Sequence, residues 1–582
     1  MFTPSLSDPI LESIPHQFIM KNVYLFFFLL SSFSTTSFAQ QNYYVATNGD
    51  DSNGNGSNNT PWATITYALD NATDSSTIWV LPGTYNGRIR VRGSFPNGIL
   101  VKSQVPYEAK LRHSGTVMTA YTHSSGCHGI TFDGFDVAHS GAGAAALVVH
   151  IDGGGTGAVH DITYQNCILH DSYNNDIAKI NNSCYNITIQ GNLFFNQTGS
   201  DEHIDGNSVE NLIIQDNIFM NDFVSSGRPN TNTTSSYIVI KDSNGNSDLY
   251  VGSRNVDIRR NVFLNYEGNT GTNFVLIGED GNPYYEGSDI MIENNLLLGN
   301  SNNSMRAPFG IKGGKNITFR NNTVVGDMPS NAFAFRFNTE GSNPNNDSIY
   351  LYNNIWSDPT GTMNDFSDCP LSESDHFVLD HNLYWNDNNP IPSNSNDLIN
   401  YTDDANRIVS DPLLGNQTNL VLPHFNSNAN QFNDGSSNIR VAFERLVNDY
   451  GTPATGSSVI DAAIASQAPL EDILGNLRST PDIGAVEYGI MSNLVNVKKT
   501  DALTIFPNPA SSGFTATFSK HIKGTVHFNL YSIDGRLIQQ QRLKKSDSTL
   551  STYWKTQDLP KGIYTLQLKT NNHSLSRTIV LF

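Results

Sequence analysis

Within Asp201, Glu202, His203, Ile204 and Asp205, one short stretch holds three carboxylates and an imidazole. Asp176 and Lys179 stand a little upstream, and Lys241 follows further on. Carboxylates brought close together share a proton, flank a bond to be broken, or hold a hard cation such as Ca²⁺. A lysine or histidine beside them takes or gives a proton. Carboxylates at loop ends also simply accept turn N–H groups. Which of these applies depends on the elements that carry the residues.

Those elements show in a recurring phrase: alternating apolar residues, two free positions, an asparagine and an apolar run. It reads NITIQGNLFF at 186–195, NLIIQDNIFM at 211–220 and NVDIRRNVFL at 255–264. The asparagines are Asn192, Asn217, Asn261, Asn295, Asn322, Asn354 and Asn382. Their spacing varies between 25 and 44 residues, so a fixed kernel carries a variable remainder. A short strand, a tight turn and another strand per repeat describe one coil of a β-solenoid. Each asparagine belongs at a turn, its amide bonding the same amide one coil away, about 4.8 Å along the axis. Cys167 occupies the ladder position of an earlier coil.

Alternation then sorts the side chains. With Ile151, Ile180, Ile204, Ile240, Ile277, Ile311 and Phe337 facing inward, their neighbours face out. One predicted outward row is His150, Lys179, His203, Val239, Leu276, Gly310 and Arg336. The other is Asp152, Asn181, Asp205, Lys241, Gly278, Lys312 and Asn338. This register predicts Asp176 and Asp201 about 5 Å apart on adjacent strands. Lys179, His203, Lys241 and Asp205 are the expected catalytic groups. His150, Lys312 and Arg336 are expected to contact substrate, and Asp176, Asp201, Glu202 and Asp205 to hold a metal. The long interval from Asn217 to Asn261 predicts loops at 223–236 and 243–253 that wall a groove.

The remaining composition sets bounds. The segment from Met20 to Gln41 has Lys21, an apolar core at Val23–Leu30 and a small-residue exit at Ala39, as a secretory signal peptide does. Its apolar run is too short to span a bilayer. Residues 1–19 read as translation from a start placed too far upstream. The net charge, 34 − 54 = −20, argues against nucleic acid or an anionic membrane as partner. Four cysteines (Cys127, Cys167, Cys184, Cys369) are too few for a disulfide framework, and their spacing fits no zinc motif. Nucleophile-elbow, HExxH and phosphate-loop motifs are absent, and the glycine run at 151–157 precedes a strand.

The chain divides into 1–39 (misassigned start and signal), 40–490 (solenoid), 491–501 (linker) and 502–582 (a small β domain). A short helix near 63–71 caps the solenoid entrance, and a loop-rich segment at 408–489 runs back along it and closes the far end. YYVATNGDDSNGNG, PWATITYAL and IWVLPGTY, with the asparagine ladder, resemble the right-handed parallel β-helix proteins of the pectate lyase superfamily. SSVIDAA, GNLR and PDIGAVE resemble the closing motif of exported β-helix proteins from Bacteroidetes-type bacteria. FPNPASSGFT, LYSIDGRLI and LPKGIYTLQL resemble the type IX secretion system sorting domain, here ending in SRTIVLF.

These resemblances imply an all-β protein, a right-handed parallel β-helix followed by a small β-sandwich, exported by the type IX machinery and released or held at the cell surface. They also imply a polysaccharide partner and a monomer. A polysaccharide lyase acting on pectate- or alginate-like uronate chains, using Ca²⁺ and a lysine base, is favoured. The alternatives are a glycoside hydrolase of an acidic or sulfated polysaccharide and a non-catalytic adhesin. Fold alone does not choose among them.

Overall fold

The computed structural model describes residues 41–489, apart from 301, 302, 329 and 427, and most of 503–581. The proposed signal peptide, the linker and the Asp534-Gly535 turn lie outside the described residues. The chain divides between residues 489 and 490 into two compact units.

The first unit is a parallel β-solenoid of about eleven turns. A regular coil has three short strands, such as Phe309–Lys312, Gly314–Arg320 and Thr323–Gly326. The first and second kinds of strand join into one 20-stranded sheet, because Ala178–Gln190 and Ile204–Gln215 run through the corner between them. The third kind forms a separate 12-stranded sheet. Isoleucine, valine and phenylalanine columns fill the interior.

Ladder asparagines sit at the corner leading into the third strand, fully buried. Asn217 Oδ1 accepts from the backbone N (2.9 Å) and Nδ2 (3.1 Å) of Asn192. Its own Nδ2 donates backward to the Ile189 carbonyl (2.9 Å) and forward to Asn261 Oδ1 (3.0 Å). The pattern repeats through Asn382 and ends on a carboxylate. Asp404 Oδ2 accepts from Asn382 N (2.9 Å) and Nδ2 (2.8 Å). At the other end Cys167 N donates to Asn192 Oδ1 (2.8 Å), as its ladder position predicts. The residue before each ladder asparagine has positive φ, including Gly191 (66°), Asp216 (58°) and Asn294 (52°), so the corner favours glycine, aspartate and asparagine. Cys127 and Cys184 stand two coils apart with Val159 between them, and all four cysteines are free and buried.

The entrance is covered as expected. Thr64 caps the helix Ile65–Asn71 by accepting from Tyr67 N, and Ile65, Ala68 and Leu69 are buried. The segment after Ile408 does return along the solenoid. It holds a twelve-residue helix, Ile439–Tyr450, where a loop-rich segment is expected. Ile439, Phe443, Leu446 and Val447 cover Leu193, Ile218, Val262 and Leu296 on the outside of the third sheet. That sheet is therefore apolar on both faces, whereas the outer face of the first strands is half-buried at His150 and Lys179 and buried at Val239 and Leu276.

The second unit has a three-stranded and a four-stranded antiparallel sheet around Phe514, Phe528, Leu530, Trp554 and Leu566. Its small sheets match the expected sandwich.

Candidate functional site

Strands Val149–Asp152, Ala178–Gln190, Ile204–Gln215 and Ile238–Lys241 lay their first residues side by side in one sheet. Their register differs from the predicted one at a single coil. Asp205, not His203, stands opposite Lys179, and Asn207 stands opposite Asn181 and Lys241. Ser172 pairs with Gln197, 25 residues on, but Lys179 pairs with Asp205, 26 residues on. The turn after Gln197 carries one extra residue, and a bulge between Asn181 and Cys184 restores the register. Ile204 still faces inward, because the displacement from the predicted pairing is two positions and preserves alternation. Gly206 fills the inward slot between Ile180 and Ile240, where an added Cβ would lie 2.9 Å from Ile240.

Two expectations are corrected by this register. His203 is fully buried, stacked on Tyr237 at 4.2 Å, with Nε2 bonded to Asn221 Oδ1 at 3.1 Å. Burial drives its pKa down to about 3, so it is a neutral core ring with no access to solvent. The neighbour of Asp176 is Glu202 rather than Asp201, for Glu202 N donates to Asp176 Oδ1 at 2.9 Å. Asp201 stays half-buried at the edge, its carbonyl accepting from Ser235 N (2.9 Å).

What comes together is a buried triad. Asp176, Glu202 and Asp205 each present a carboxylate oxygen within 4.8 Å of the others. Two lysines bracket them. Lys179 bonds Asp205 and lies 3.6 Å from Asp176. Lys241 lies 3.7 Å from Asp205, bonds Glu279 at 2.5 Å and is 3.8 Å from Asp280. Burial, then the nearby Asp205 charge, pushes the Asp176 carboxyl up to about 7. Burial and Asp176 hold Glu202 well above the carboxylate range. Burial works against charge on both lysines, yet Asp205 with Asp176 raises Lys179, and Asp205 with Glu279 raises Lys241. Asp205 Oδ1 is buried and has no hydrogen-bond partner among the described residues. An unpartnered buried carboxylate oxygen beside two crowded carboxyls is what an all-oxygen cation site offers before it is filled.

The other expected residues spread along the same face. His150 is one strand from Lys179 and bonds Asn181 Oδ1 (3.1 Å). Lys312 pairs with Glu340, and Arg336 with Asp368 at 2.7 Å. Arg336 does share the row of Lys179 and Asp205, but buried Val239, Leu276 and Gly310 come between. Sequence reasoning missed Glu279 and Asp280. They follow the Gly278 turn, outside the strand alternation, and the acidic pair between Gly278 and Gly281 was the available signal.

Residues 504–581 match the family described as "Secretion system C-terminal sorting domain". The chain thus carries a tail for type IX secretion, to the cell exterior or surface. No curated protein matches the chain in sequence. Among solved structures, it is similar to pectate lyase Pel9A, with 15% identity, a TM-score of 0.42, and coverage of 77% of this chain and 97% of that one. A rhamnogalacturonan lyase matches at 13% identity and TM-score 0.39, covering 64% of this chain and 87% of that one. The GH136 lacto-N-biosidase from Eubacterium ramulus matches at 9% and 0.37, covering 64% and 67%. The chemistry of this chain rests on its own residues.

Proposed function

We propose that the outer face of these first strands binds a uronate-containing polysaccharide, pectate- or alginate-like, and cleaves it by β-elimination. The observation that carries this reading is the triad Asp176, Glu202 and Asp205, bracketed by Lys179 and Lys241 on an exported β-helix. Three carboxyls this close resist ionising together, and Asp205 Oδ1 lacks a partner, which suits them to Ca²⁺ with Asp201 at the rim. A calcium ion, when bound, neutralises charge on the carboxylates and on the uronate group.

Lys241 is the base in this reading. It must be neutral to accept the proton beside the sugar carboxylate, and the field of Asp205 and Glu279 is what now keeps it charged. Positive charge held by Asp205 weakens that field and brings Lys241 toward its neutral form. Lys179 and His150, next to each other on the face, orient the sugar carboxylate, and Lys312 and Arg336 contact the chain further along. The hydrolase reading is weaker. A retaining pair must flank a sugar bond from two facing carboxylates, whereas the expected partner of Asp176, Asp201, is displaced by Glu202.

The test is to incubate the mature chain with pectate, alginate, carrageenan and fucan. Ultraviolet-absorbing unsaturated ends that vanish with chelator and return with Ca²⁺ are expected from pectate or alginate. Reducing ends without that absorbance, or cleavage indifferent to chelator, would overturn the proposal.

A further inference from the structure

The motif GRIRVRG at 87–93 alternates arginine with apolar residues. Ile89 and Val91 are buried, so Arg88, Arg90 and Arg92 leave the outer face of one strand, Ile89–Val91, and its flanks. Arg92 is neutralised by Asp70 through bonds of 2.6 and 2.7 Å. Arg88 and Arg90 are exposed, and neither guanidinium meets a carboxylate among the described residues. Arg88 Nε donates to the Thr116 carbonyl (3.3 Å), and Arg90 donates its backbone N–H to Thr66 Oγ1 (2.9 Å). Most arginines of this unit do pair with carboxylates, among them Arg112, Arg260 and Arg320. In a chain of net charge −20, two adjacent uncompensated guanidiniums are a local exception. They border a cleft of about 360 Å³, also lined by Thr47, Thr64 and Thr84.

The register connects this cleft to the triad. Arg90 stands opposite Thr119, Thr119 opposite His150, His150 opposite Lys179, and Lys179 opposite Asp205. One outward row therefore runs from Arg90 to Asp205 across four strand spacings, roughly 19 Å.

We propose that Arg88 and Arg90 form a distal anion subsite, which grips acidic groups of the same sugar chain that reaches Asp205. The inference rests on the reading of the outer face of the first strands as a polysaccharide site. Guanidiniums bind carboxylate or sulfate through paired, charge-assisted hydrogen bonds. A chain lying along the solenoid axis gains this contact only when long enough to span the row, and the gain is intramolecular once its other end is held. The subsite sets preference for length and charge and takes no part in bond cleavage.

Binding of length-graded oligogalacturonates, sulfated galactan oligomers and neutral galactan by the mature chain in Ca²⁺ tests this, measured by calorimetry. For the unmodified protein, affinity should step up once acidic oligomers span the row. Arg88→Gln/Arg90→Gln should lose about 10-fold of that long-over-short gain, and Arg254→Gln, on another face, should keep it. An arginine-dependent step seen only with sulfated galactan keeps the subsite and overturns the uronate reading. A step of equal size in the double variant, the same step with neutral galactan, or no step with any acidic chain overturns the subsite.

Discussion

The asparagine ladder and the carboxylate triad are both stacks of buried polar side chains on neighbouring coils, yet their energetics are opposite. In the ladder, every amide gives and receives, so burial leaves no group wanting a partner. Neutral donors and acceptors at strand spacing reinforce one another. In the triad, three groups of like charge repel, two carry raised pKa values, and one oxygen is unpartnered. The ladder holds the coils together, while the triad is crowded and poised to take up positive charge. Uncompensated burial of this kind marks a working site more often than a structural one.

The largest effect is expected from Lys241→Gln. If the triad side is chemical, kcat of the folded protein should fall by about 10²–10⁴-fold, the scale of a lost proton-transfer group, and loss of the ion pairs to Glu279 and Asp205 should lower Tm as well. Activity within a few-fold of normal would remove Lys241 from the chemistry.

On the ladder side, Asn261→Ala strips the acceptor from Asn217 N and Nδ2 and the donor from the Ile214 carbonyl. The expected destabilisation is on the order of 1–3 kcal/mol, read as a lowered Tm, and an unchanged Tm would refute the ladder's role. His203→Ala belongs on this side too. It should lower Tm through lost packing on Tyr237 while the folded fraction keeps its kcat.

Proton linkage separates the two stacks further. Asp176 and Glu202 have folded pKa values raised above the roughly 3.9–4.3 of an unfolded chain. The folded state therefore binds the extra protons, and the stability these two groups contribute falls as pH rises from about 4 through about 7 in chelator. Ca²⁺ should restore Tm most strongly at the upper end of that window, and Asp176→Asn should flatten the pH slope. A Tm that climbs across the window in chelator would contradict the raised values.

The smallest effect is expected at the ladder's terminus. Asp404→Asn keeps an acceptor for Asn382 and Tyr384 but exchanges charge-assisted bonds for neutral ones, at a cost of about 1 kcal/mol. Loss of the whole fold in this variant would show that the closing carboxylate does more than end the ladder.

Much of the scaffold was legible because local rules repeat. A positive-φ corner followed by a buried asparagine recurs in seven coils, and strand parity is readable from apolar alternation even where coil lengths vary. So Ile204 faces inward and Cys167 takes the ladder position of its coil, as those rules predict. Parity does not give the address. One added residue after Gln197, absorbed by the bulge at Asn181–Cys184, moved Asp205 into the row of Lys179 and His203 into the core. The helix Ile439–Tyr450 escaped because its apolar stripe pays off only against a sheet far away in sequence.

By itself, then, the chain's sequence determined what depends on neighbours in sequence and on strict repetition: coil, ladder, inward face and exported tail. Only the tertiary structure decided which carboxylates meet. Parallel strands pair residues from different coils, and the offset between coils is set by turn lengths and bulges rather than by alternation. Asp176, Glu202 and Asp205 converge because that offset is 26 rather than 25 at this one place.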